Sequence, residues 1–181
     1  MSQFEEKQIE REVIFDGAVL HVVKDKILLP DGNISYREFC LHKGAVAVIP
    51  ITENNEAILV RQFRYAHHRE FLEVPAGKFD FVGEDPLDAA KRELSEETGA
   101  SAEKYISLGI LDTTPALIDE KIHMFMAEGL TYGEMHPDED EFLSVERIPL
   151  FDLVDMVMSG KIRDGKTQIA ILKAARIKGI H

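Results

Sequence analysis

The stretch from Asp85 to Gly99, D-P-L-D-A-A-K-R-E-L-S-E-E-T-G, constrains this chain more than any other. Asp85 is a good helix cap, Pro86 suits the first helical position, and Gly99 suits the residue just past the end. A helix is therefore predicted over 86–98. At about 100° per residue, Glu97 lies about 40° from Glu93, and Glu96 about 60° to its other side. The three carboxylates share one face. Leu87, Ala90, Leu94 and Thr98 cluster roughly 100° away as the stripe that packs on a core, so the acidic face borders the buried one.

A solvated acidic face is the bland reading of that pattern. Against it, Glu93 and Glu97 repel as an i,i+4 pair at a cost of a few tenths of a kcal/mol, and no lysine stands four residues after either. A divalent cation would turn the repulsion into coordination. Hard carboxylate oxygens suit Mg²⁺ or Mn²⁺, which keep several waters and share themselves with substrate phosphates.

Composition narrows the partners. The chain has 181 residues and is 45% hydrophobic, enough for one domain with a real core, or one domain with a small appendage. Its net charge of -12 disfavours unaided binding to nucleic acid or an anionic membrane, and an anionic substrate would need a cation to mediate. The single cysteine, Cys40, allows neither an internal disulfide nor a cysteine-based zinc site. The start lacks a signal-peptide pattern, and the longest apolar run, near 45–51, falls far below the ~18 residues of a spanning helix. A soluble cytoplasmic protein is expected.

Short β-rich pieces at Val13–Phe15, Leu20–Lys24 and Tyr36–Cys40, separated by turn residues, predict an N-terminal β-meander. The runs G-A-V-A-V-I-P-I and A-I-L-V-R-Q-F-R-Y, on either side of the turn at 52–56, read as a hairpin. Further strands are expected at 70–74, 105–111, 122–127 and 142–145, and two closing helices at about 150–160 and 167–177. Strands and helices do not alternate regularly, so the class is mixed α+β rather than a parallel βαβ sheet. The expected division is 1–42 for the meander and 43–181 for the main domain.

The flanks of the helix carry a resemblance. From Gly77 the sequence runs K-F-D-F-V-G, then Glu84, seven residues, Arg92-Glu93-Leu94, Ser95, Glu96-Glu97, Thr98 and Gly99. This resembles the Nudix box, in which a glycine is followed after five residues by glutamate, after seven more by Arg-Glu, an aliphatic residue, any residue, Glu-Glu, any residue and glycine. One departure stands out: six residues, not five, separate Gly77 from Glu84. The resemblance implies an α/β/α sandwich around a mixed sheet and hydrolysis of a nucleoside diphosphate linked to another group. It implies Mg²⁺ or Mn²⁺ held by Glu93 and Glu97, with Glu96 assisting and the Ala76 carbonyl as a further ligand. Arg92 would hold the glutamates in place, and Gly77 and Gly99 would permit the turns that bracket the helix.

Pro115, fifteen residues beyond Ala100, the segments V-R-Q-F-R-Y and E-V-P-A-G, the meander and the closing G-K-I-R-D-G-K-T are all similar to ADP-ribose pyrophosphatases of that family. By that similarity Arg64, Arg61 and Lys78 are candidates for meeting substrate phosphates or the terminal ribose. His67 and His68 are read as exposed loop residues, because neighbours on a strand point apart. In the acidic loop D-E-D-E, Glu141 is the candidate for acting on the attacking water, with Glu139 second and Glu96 third, on a loop from Met135 to Glu141 expected to be mobile. The similarity also implies a homodimer built on the N-terminal meander. Alternatives are a nucleotide sugar or dinucleotide as substrate, or a non-catalytic domain that senses a nucleotide; the retained glutamates speak against the last.

Overall fold

The computed structural model describes residues 2–137 and 141–180 of the chain. They fall into two compact units: the chain up to Lys43 together with Asp112–Lys121, and Gly44–Leu111 together with the chain from Ile122 onward. The segment at 112–121 therefore belongs with the N-terminal residues, which a cut at 42/43 does not include. Cys40 ties it there, its N–H donating to the Leu117 carbonyl at 2.8 Å.

The N-terminal unit is a meander of β1 (Lys7–Asp16), β2 (His21–Leu28) and β3 (Ile34–Leu41), antiparallel and in that order. The strands run longer than their apolar pieces because charged residues pair across them. Arg11 clasps Asp25 through two bonds of 2.7 Å, and Arg37 pairs with Glu6. Hydrophobic periodicity does not register such rungs. β2 alternates, burying Val23, Asp25 and Ile27, whereas β1 is exposed along its whole length.

In the second unit, β4 (Ala45–Pro50), β7 (Ala76–Lys78), β8 (Ala100–Asp112) and β9 (Lys121–Tyr132) form one sheet in the order β7-β4-β9-β8. It is mixed, since β4 runs antiparallel to β7 and parallel to β9. A second sheet has the order β10-β5-β6, from β5 (Glu56–Arg64), β6 (Arg69–Glu73) and β10 (Leu143–Pro149). Helices α1 (Pro86–Thr98), α2 (Leu150–Met158) and α3 (Gly165–Lys178) complete it.

Every residue of β4 is buried, and its alternation shows why. Ala45, Ala47 and Ile49 join the core with Leu150 and Leu153 of α2 and Ile171 and Ala174 of α3. Val46 and Val48 join the core with Ala89, Ala90 and Leu94 of α1. The strand is thus covered by helices on both faces, the expected α/β/α sandwich.

The expected hairpin between β4 and β5 does not form. The turn is present, with the Thr52 N–H donating to the Glu56 carbonyl at 2.9 Å, but pairing ends after the single bridge between Ile51 and Ala57. Both edges of β4 are taken, by β7 and β9, so β5 diverges into the other sheet. Among the described residues no helix is long and apolar enough to cross a membrane.

Candidate functional site

Helix α1 begins and ends where its sequence dictates. Asp85 accepts from the N–H groups of Leu87 and Asp88 at 2.8 and 3.1 Å. Gly99 takes the left-handed conformation at φ 66°. Ala90 and Leu94 are fully buried, and the neighbouring acidic face is carried inward with them: Glu93 is 8% and Glu97 3% exposed.

Two backbone features hold these carboxylates. The Ala76 N–H donates to Glu97 Oε2 at 3.3 Å. Gly77 lies in β7 opposite Val46, and a Cβ there would stand 2.1 Å from Glu93 Oε1. Gly77 is not at a positive φ, so its role differs from the turn expected of it: it lets the Glu93 carboxylate approach the strand.

Arg92 supplies the positive charge that the i,i+4 lysine pattern lacked. One terminal nitrogen donates to Glu93 Oε1 at 2.7 Å and Glu96 Oε2 at 3.1 Å. The other donates to the Lys78 carbonyl at 3.2 Å and reaches Glu84 at 3.5 Å. Its Nε is buried 3.4 Å from Asp80 Oδ2, without hydrogen-bond geometry. Glu84 in turn accepts from the Asp80 N–H at 2.8 Å. The longer loop therefore leaves Glu84 beside Arg92, and exposed Phe81 and Val82 and the positive-φ Gly83 absorb the extra length.

One arginine does not balance the site. Burial pushes the Glu93 carboxyl up to about 7, against the pull of Arg92 and with the help of the Glu96 and Glu141 charges. Burial, then the charges of Glu93 and Glu141, push Glu97 up to about 8. Glu141 is thus within electrostatic reach of both. Among the described residues no three acidic, imidazole or thiol groups converge closely enough to hold a metal ion as they stand. The reason is visible in the bonds above, since Glu93 and Glu96 face Arg92 and Glu97 faces the Ala76 amide. The chemistry of the donors nevertheless fits a hard divalent cation: buried carboxylate oxygens short of positive charge.

The remaining candidates are scattered. Lys78 is an exposed residue closing β7. Arg61 and Arg64 stand three residues apart on β5 and so project to opposite faces. Arg61 pairs with Glu146 at 2.5 Å. Arg64 binds Glu73 through two bonds of 2.7 and 2.9 Å and feels the charge of Glu97. Pro115 opens a turn in the N-terminal unit, where the Thr114 carbonyl accepts from Leu117 and Ile118. His67 and His68 are exposed in and after a 3-10 turn, as expected. Glu139 lies outside the described residues, and so does part of the loop expected to move. The start of that loop is pinned to α1: the Gly133 N–H donates to Gly99 O at 2.7 Å and the His136 N–H to Glu96 O at 3.0 Å.

Sequence reasoning missed one cluster. Glu73, only 2% exposed, accepts from Arg64 and from Lys166. Burial acts to raise its pKa, but the two cations outweigh it and hold the carboxyl at about 2. Lys166 also pairs with Asp164 at 3.1 Å, and Asp164 caps α3 through the Thr167 N–H. The signal was a glutamate at an inward position of the strand R-E-F-L-E-V-P, which demands a cation.

Comparison with known proteins agrees with this geometry. The NUDIX domain model matches residues 41–169. The chain is 42% identical to an ADP-ribose pyrophosphatase of Bacillus subtilis, covering 94% of this chain and 93% of that protein. It is also 42% identical to a methanol dehydrogenase activator of Bacillus methanolicus, covering 93% and 91%. The crystal structure of an ADP compounds hydrolase superposes with a TM-score of 0.85 over 99% of this chain and 97% of that one, at 23% identity.

Proposed function

The chain belongs to the Nudix family, and from that premise we propose that it hydrolyses the diphosphate bond of ADP-ribose to AMP and ribose 5-phosphate. The observation that carries this is the pair Glu93 and Glu97, buried at the edge of the core with less positive charge than they need. The Bacillus subtilis relative supports ADP-ribose as the substrate.

Glu93 and Glu97, with Glu96 and the Ala76 backbone, would hold Mg²⁺ or Mn²⁺. Such a cation, when bound, neutralises the diphosphate and makes water a better nucleophile. The chain's own groups do the rest. Arg92 fixes Glu93 and Glu96 in position. Glu141 takes the proton of the attacking water as its oxygen bonds to one phosphorus and the bridging P–O bond breaks. Arg64, 42% exposed at its side chain, keeps a free edge for a phosphate oxygen while Glu73 fixes its plane. Lys78 adds charge from the exposed end of β7.

The exposed apolar residues of β1, Ile9, Val13 and Phe15, support a homodimer formed through the N-terminal unit. GDP-mannose pyrophosphatases of Yersinia enterocolitica and Klebsiella pneumoniae, 31% and 29% identical to this chain, support a second reading, the same hydrolysis on a nucleotide sugar or another nucleoside diphosphate derivative. A panel of ADP-ribose, nucleotide sugars and dinucleotides, assayed with Mg²⁺ and product identification, separates the two. Preferred release of AMP and ribose 5-phosphate from ADP-ribose supports the first reading, and a higher kcat/KM on another compound replaces it.

A further inference from the structure

Beside the Glu73 cluster, an open cleft of about 510 Å³ is lined by His67, Arg69, Phe71, Arg163, Asp164 and Gly165. We infer that this cleft is a second anion site, which takes a phosphate group between Arg69 and Arg163, apart from the carboxylates of α1.

The charges show the contrast. Arg11, Arg37, Arg61, Arg64 and Arg92 each pair with a carboxylate, as a chain of net charge -12 readily allows. Among the described residues Arg147, Arg176, Arg69 and Arg163 do not, and the last two are the ones that line this cleft. The one carboxylate in its wall is already committed, since Asp164 accepts from the Thr167 N–H and hydroxyl and pairs with Lys166. Lys166 and one edge of Arg64 are in turn taken by Glu73. Among the described residues, what remains open in this cleft is two guanidinium groups without a carboxylate partner.

Arg69 is also oriented. Its guanidinium carbon sits 4.2 Å from the centre of the Phe71 ring, and the His67 ring packs on the same phenyl group at 5.1 Å. Stacking restrains the guanidinium over the ring, and a planar fork held in this way suits phosphate oxygens. Gly165 opens α3 in the cleft wall, but the Asp164 carboxylate already caps that terminus, so the two arginines carry the attraction for an anion.

The test uses nucleotide-free protein kept in EDTA, so that phosphate cannot bind through a metal at α1. Inorganic phosphate and AMP are titrated while backbone amide shifts are followed by NMR at constant ionic strength. Saturable shifts centred on residues 67–71 and 163–165 are expected with both probes. Equal binding of the two assigns the site to the phosphate group alone, tighter AMP assigns it to a nucleotide, and either supports it. Arg69→Gln with Arg163→Gln is expected to weaken binding about tenfold or more. Arg163→Gln alone, at an exposed position, gives a smaller loss without threatening the fold. Glu97→Gln is expected to leave binding unchanged, and the double variant to keep Mg²⁺-dependent turnover of ADP-ribose. Non-saturable shifts, shifts centred on α1, or binding indifferent to both arginines would overturn the site. Turnover that falls in step with phosphate binding would overturn its separation from the substrate.

Discussion

Glu73 and Glu97 are both glutamates of the same unit, 2% and 3% exposed. Around Glu73 the chain itself supplies two cations, Arg64 and Lys166, and the carboxyl is held at about 2. Around Glu97 stand Glu93 and the charge of Glu141, with Arg64 a weaker counterweight, and the carboxyl is pushed up to about 8. A buried carboxylate whose cations come from the chain is a finished structural element. One whose cations are missing is poised for a cation from outside.

Glu97→Gln breaks the contrast most severely. It removes the charge of a proposed ligand while keeping the shape, so kcat on ADP-ribose with Mg²⁺ is expected to fall by about 10⁴, or several kcal/mol, with an unaltered far-UV spectrum. A kcat near wild type at saturating Mg²⁺ would count against the assignment. Glu141→Gln tests whether the third charge felt by this pair acts in the reaction. The expected loss is about 10³ in kcat with KM little changed, the mark of an interaction made only in the transition state. A raised KM at constant kcat would assign Glu141 to substrate binding.

Glu73→Gln probes the other side of the comparison. It leaves Arg64 and Lys166 facing a neutral amide in a buried place, at an expected cost of about 3 kcal/mol in denaturant unfolding. Because the folded pKa is depressed, the stabilisation by Glu73 is full above about 4.5 and is lost as pH falls toward about 2. Wild type should therefore lose its advantage over the variant across that window. Metal-free Glu93 and Glu97 have the opposite sign: their raised pKa values favour the fold at low pH, and that contribution is lost as pH rises through about 7 to 8. An acid limb identical in wild type and Glu73→Gln would dissolve the distinction.

Gly77→Ala is the smallest perturbation. Its methyl group would overlap the Glu93 carboxylate at 2.1 Å, and strand β7 itself tolerates alanine. Displacing this proposed ligand by about an ångström is expected to lower kcat/KM about a hundredfold, with melting little changed. Full activity would mean that Glu93 need not sit where it does.

The two regions also differ in how far the sequence foretold them. The α1 site was legible because its three carboxylates lie on one helix, where 3.6-residue spacing converts order into geometry. Even the border position of Glu93 and Glu97 followed from their angle to Leu94. The Glu73 cluster joins residues 9 and 93 positions apart, on strands and a helix, and no local periodicity relates them. The same limit explains the lost hairpin: β4 and β5 are neighbours in sequence, but β4 had both edges claimed by β7 and β9. Gly77 was recognised as fixed, yet its reason, a carboxylate from a helix sixteen residues on, is tertiary.

Mg²⁺-dependent melting of the nucleotide-free protein at neutral pH, wild type against Glu97→Gln, tests most directly whether Glu93 and Glu97 await an external cation. If they do, millimolar Mg²⁺ raises the wild-type Tm by several degrees and leaves that of the variant unchanged, since a ligand stabilises only the state that binds it. An equal rise in both proteins, or none in wild type, would contradict it.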